Sequence, residues 1–175
     1  MIESIADRIA IMIKRTAPQE TASVPVMRFA LIAIINTAAA LLLAFSISLF
    51  LSTLWETVFA AFAFMVLRFF SGGFHLQSST LCTIASALLL TTIPLLPFSD
   101  DSIFWGTVLS VILLLIFAPS NIKNHARIPE RYFPLLKVSS ILIAGSNFIF
   151  HNPILCYSFL FQALLTITIR REVKK

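Results

Sequence analysis

Six runs of apolar residues, each close to the length of a bilayer crossing, leave this chain few ways to fold. They cover residues 27–51, 53–70, 79–97, 102–119, 135–150 and 153–169. A helix needs about 20 apolar residues, within roughly 17–25, to cross the hydrocarbon core of a membrane. In lipid every backbone N–H and C=O must be satisfied within the segment, so such runs fold as helices. The fifth run is the weakest, being short and holding Lys137, Asn147 and several serines. Composition agrees: 58% of the 175 residues are hydrophobic and only 12% charged. A soluble domain of this size cannot hide that much apolar surface. The expected fold is an all-α polytopic membrane helix bundle, with about six transmembrane helices in one integral membrane domain over residues 1–175.

Charge in the connections predicts the orientation. Arg8, Lys14, Arg15 and Arg28 precede or open the first run, and the first connection offers only Glu56. The second has Arg68, the third Asp100 and Asp101, and the fourth Lys123, Arg127, Arg131 and Lys137. The fifth has none, and the last segment carries Arg170, Arg171, Lys174 and Lys175. Positive and non-positive ends alternate at every crossing. That pattern predicts six spans in the cell membrane, with both termini in the cytoplasm. The net charge of +5 is scattered between the spans, with no basic aromatic face, so a nucleic-acid partner is not expected. No cleavable signal peptide is evident, and the first span is expected to act as the targeting element. Within residues 1–25, Ile2, Ile5, Ile9, Met12 and Ile13 recur at helical spacing among charged residues. They predict an amphipathic helix lying on the cytoplasmic surface of the bilayer.

The stretch RFFSGGFHLQSSTLC, Arg68 to Cys82, gathers polar and reactive groups between two spans. Gly72-Gly73 opens backbone conformations closed to other residues, so a helix leaving the second span is expected to stop there. Ser78 or Ser79 suits the N-cap of the next helix, which would put Cys82 in its first turn. The positive end of a helix dipole favours a thiolate at that position. His75 lies seven residues before Cys82. On one unbroken helix the two would stand about 10 Å apart along the axis. Direct proton transfer needs roughly 2.6–3.2 Å. A Cys/His nucleophilic pair therefore requires the segment to fold back over the helix start. On spacing alone, a solvated histidine beside a small packed cysteine is the simpler reading. His151 and Cys156 form a second pair, without a double glycine and predicted to lie outside the cell. An interface histidine and a packed cysteine describe them best, and His125 reads as a solvated residue of the basic connection.

The pattern R-x4-G-x-H-x6-C between two apolar spans resembles the accessory gene regulator B (AgrB) family, membrane cysteine endopeptidases that mature quorum-sensing peptides. The matching positions are Arg68, Gly73, His75 and Cys82, with Gly72 extending the turn. The stretch FAPSNIKNHARIPERYFPLLKVSSI, residues 117–141, also resembles the family's Ala-Pro and basic connection. The resemblance implies that Cys82 attacks a peptide bond near the C-terminal side of a short amphipathic precursor peptide. His75 would accept and return the proton. The acyl group would pass from a thioester to a Cys or Ser side chain of the precursor, closing a thiolactone or lactone ring. It also implies a homodimer as one possible assembly. Backbone N–H groups near the start of the third span, with Gln77 or Ser78, are candidates for holding the oxyanion. Arg68 is a candidate to bind a carboxylate or phospholipid, or to brace the loop. Lys123, Arg127 and Arg131 are candidates to attract an acidic precursor tail, although positive-inside placement already accounts for them. No cofactor and no metal site is expected. A small peptide exporter and a non-catalytic scaffold are the alternatives; an exporter would place charges deep in several spans.

Overall fold

The computed structural model describes residues 2–74, 78–120 and 129–167. His75, Gln77, Lys123, His125, Arg127 and the basic residues from Arg170 onward lie outside the described residues. The chain is an all-α membrane helical bundle. Its helices are α1 (Ile2–Thr16), α2 (Val24–Phe50), α3 (Leu54–Ser71), α4 (Ser79–Thr92), α5 (Asp100–Phe117), α6 (Phe133–Gly145), α7 (Asn147–Phe150) and α8 (Pro153–Leu164). Short 3-10 turns cover Ile93–Leu95 and Glu130–Tyr132.

Local chemistry sets the ends. Pro25 and Pro153 stand in the first turns of α2 and α8, where a missing N–H costs nothing. Ser99 and Ser102 cap α5 reciprocally, each hydroxyl accepting from the other's backbone N–H at 3.2 and 2.8 Å. The Asn152 side chain accepts from the N–H groups of Ile154 and Leu155 to open α8. The third run, predicted over 79–97, is regular helix only to Thr92, because Pro94 lacks a donor and tightens the last turn. The fifth divides at Ser146 into α6 and α7. Among the described residues, four stretches are long and apolar enough to cross a membrane: Val24–Phe50, Leu54–Ser71, Asp100–Phe117 and Glu130–Phe150. Ser79–Leu95 and Pro153–Leu164 are shorter apolar helices.

The described residues form two compact units, one within 1–52 and 75–91, the other within 53–74 and 92–175. In the first, α1 packs against α2. Ala6 and Ala10, one turn apart, are its fully buried residues, while Ile5, Met12 and Ile13 stay exposed. The packed face of α1 is thus the alanine one, and the isoleucine–methionine face is open. Asp7 reaches Arg28 at 3.7 Å across the α1–α2 pair.

In the second unit Ala63 and Leu67 of α3, Leu114 of α5, Ala118, Ala144 of α6, and Phe159 and Ala163 of α8 form a buried cluster. Small residues at these contacts let helices approach closely where lipid offers no hydrophobic drive. Gly106 is the tightest case, since a Cβ there would stand 2.6 Å from Cys156 Sγ. Gly106→Ala is expected to cost about 1–3 kcal/mol through overpacking. Thermal unfolding in detergent checks this: pairing it with Cys156→Ala should restore most of the loss, and simple additivity of the two changes would contradict the packing account.

Candidate active site

Cys82 occupies the first turn of α4. Its N–H donates to the Ser78 carbonyl at 3.0 Å, the first hydrogen bond of the helix. The Ser78 hydroxyl accepts from the Leu81 N–H at 3.4 Å, so Ser78 holds the N-cap position. Side chains on a helix lean toward its N-terminus, which carries the Cys82 sulfur over the capped turn. The residue is partly buried and forms no disulfide. The start of α4 is also tied sideways. The Ser79 hydroxyl donates to Glu3 Oε1 at 2.6 Å, and the Thr83 hydroxyl donates to Asn36 Oδ1 at 2.6 Å. α1 and α2 thereby hold the turn that bears Cys82. The Ser79 hydroxyl keeps the Glu3 carboxyl below the usual carboxylate range.

The other half of the polar stretch belongs to the second unit. α3 ends at Ser71, and Gly72 and Gly73 follow with φ of 67° and 133°, values a side chain rarely permits. The Gly73 N–H donates to the Ser120 carbonyl at 3.0 Å, and the Ser120 N–H to the Ser71 carbonyl at 2.9 Å. The Phe74 N–H donates to the Leu165 carbonyl at 2.8 Å. Arg68, one turn from the end of α3, donates to the Phe74 carbonyl at 2.9 Å and to Gln162 Oε1 at 3.1 Å. Its guanidinium thus braces the chain just before His75.

Gln162 of α8 escapes a reading by sequence. It is fully buried, and its Nε2 donates to Ser71 Oγ at 2.9 Å and to the Gly72 carbonyl at 2.7 Å. One signal pointed to it: a lone amide inside the apolar run 153–169, where an unpaired polar group is costly.

The remaining candidates separate. Arg131 is exposed in the 3-10 turn, and its guanidinium donates to the Tyr132 hydroxyl at 3.1 Å and lies 4.9 Å from the ring centre. Cys156 is buried in α8, its Sγ 3.5 Å from the Ile103 carbonyl. His151 faces Asp100 at 3.5 Å. The second histidine–cysteine pair is thus engaged with separate partners.

Residues 6–169 match the family model described as accessory gene regulator B. An AgrB-like protein of Halalkalibacterium halodurans is 33% identical over 101 residues, covering 58% of this chain and 51% of that protein. Accessory gene regulator protein B of Staphylococcus aureus strain bovine RF122 is 29% identical over 114 residues, 63% of this chain and 60% of the relative. The same protein of strain JH9 is 30% identical over 107 residues, 59% and 57%. The matched segment therefore spans between about half and three-fifths of these relatives' lengths. No solved structure matches the chain.

Proposed function

This chain belongs to the accessory gene regulator B family, and from that membership we propose that it is a membrane-embedded cysteine endopeptidase of peptide quorum sensing. The observation that carries the reading is Cys82 in the first, side-tied turn of α4. A nucleophile there has a rigid backbone beneath it and a cap that closes the helix start.

The proposed substrate is a short amphipathic precursor peptide held at the cytoplasmic surface of the bilayer. The basic connection around Lys123, Arg127 and Arg131 and the basic residues at both ends favour that side. Cys82 sulfur bonds to the scissile carbonyl carbon while His75 takes the thiol proton. The C–N bond then breaks, and His75 returns the proton to the leaving amine of the C-terminal tail. A thioester joins the rest of the precursor to Cys82. Attack by a Cys or Ser side chain of the precursor moves the acyl group to that side chain, closes the ring and regenerates the thiol. Exclusion of water by lipid favours this step over hydrolysis.

Co-expression with a precursor peptide tests the reading. Wild type and Cys156→Ala are expected to release the tail; Cys82→Ala and His75→Ala are not. Tail release by Cys82→Ala would sink the proposal.

A further inference from the structure

Gln162 sits where helix packing and the polar stretch meet. Its amide has one acceptor and two donors, and each is used: Oε1 by Arg68, Nε2 by Ser71 Oγ and the Gly72 carbonyl. The amide can face only one way, because a guanidinium only donates and a carbonyl only accepts. Arg68 then carries the link onward to the Phe74 carbonyl. The Phe74 N–H is held from the same helix end by the Leu165 carbonyl, three residues beyond Gln162. Gly73 is buried against this group, and a Cβ on it would lie 3.1 Å from Leu165 O and 3.4 Å from Gln162 Nε2. One amide thus ties together the end of α3, the double-glycine turn and the arginine brace. Two of its bonds fall on the end of α3 and the glycine turn, and the third holds the arginine that binds the Phe74 carbonyl.

We propose that Gln162 is a positioning residue for the reaction: through Arg68 and Gly72 it fixes the place and direction in which the backbone leaves Phe74, the residue covalently joined to His75. This rests on the proposed peptidase reading. Without the amide, the turn loses its link to α8. The expected consequence is slower acyl transfer with little change in peptide affinity.

The test is steady-state cleavage of a precursor peptide by the purified full chain in lipid nanodiscs, with thermal unfolding measured alongside. Gln162→Leu removes all three bonds. Gln162→Glu preserves length and the acceptor for Arg68 but sets an acceptor against the Gly72 carbonyl. Ser158→Ala, one turn away and equally buried with no described partner for its hydroxyl, is the control. Both Gln162 variants are expected to lose about 10- to 100-fold in kcat, the scale of a small misplacement of a reacting group, while KM stays within about twofold. Ser158→Ala should match wild type. Unchanged kcat in both variants, or a rise in KM alone, would overturn the proposal. So would loss of the folding transition in both, which would make Gln162 a residue of the fold only. Cleavage by Cys82→Ala would instead remove the peptidase reading itself, so the two failures are distinguishable.

Discussion

Cys82→Ala is expected to reduce tail release by at least about 10⁴-fold, near 5 kcal/mol of transition-state stabilisation. The size follows from the role. In the proposed mechanism the covalent intermediate forms on this sulfur, and water attacking without it is far slower. The change should leave the fold intact, because neighbouring side chains also hold the first turn of α4. Ser78 caps it, Ser79 binds Glu3 and Thr83 binds Asn36. Alanine is also a good helix former, so α4 keeps its start. Unaltered thermal unfolding together with lost processing would therefore assign the effect to chemistry. Cys156→Ala marks the contrast. Its sulfur packs among α5 carbonyls, and its loss should alter stability and not processing.

Gly73→Val is the second large effect. At φ 133° a β-branched side chain carries a backbone penalty of about 1–3 kcal/mol. The added Cβ also crowds the Leu165 carbonyl, the acceptor for the Phe74 N–H. Relief requires the turn to move, and displacement of that kind costs on the order of 100-fold in rate. Gly145 supplies the comparison, with nothing within 4 Å of a Cβ built there. Gly145→Ala should leave processing unchanged. Peptide cleavage by both variants checks this. Near-normal activity of Gly73→Val would mean that the turn is not held as tightly as its hydrogen bonds imply.

Much of the architecture was legible because lipid is an unforgiving solvent. A run such as 27–51 has few alternatives to a helix, and α2 fills it from Val24 to Phe50. Gly72-Gly73 and the Ser78-Ser79 pair were legible as stop and start signals because each acts within a few residues of itself, and the structure selects Ser78 as the cap. The ends of the later helices were less so. Pro94 trims α4, and α6 gives way to α7 beside Gly145 and Ser146, where nothing apolar is interrupted. The bracing of the turn lay furthest from view. Gln162 is 91 residues from Ser71, and only packing of α3 against α8 brings an amide and a turn together. Arg68 carried several readings by sequence, and its partners on Phe74 and Gln162 depend on the same packing.

The most direct measurement is the intact mass of the wild-type protein, quenched in acid during turnover of a precursor peptide. The account requires an adduct on Cys82 equal in mass to the precursor less its tail, released by hydroxylamine and absent from Cys82→Ala. Tail release at a normal rate with no adduct on that cysteine, or with one on another residue, would contradict it.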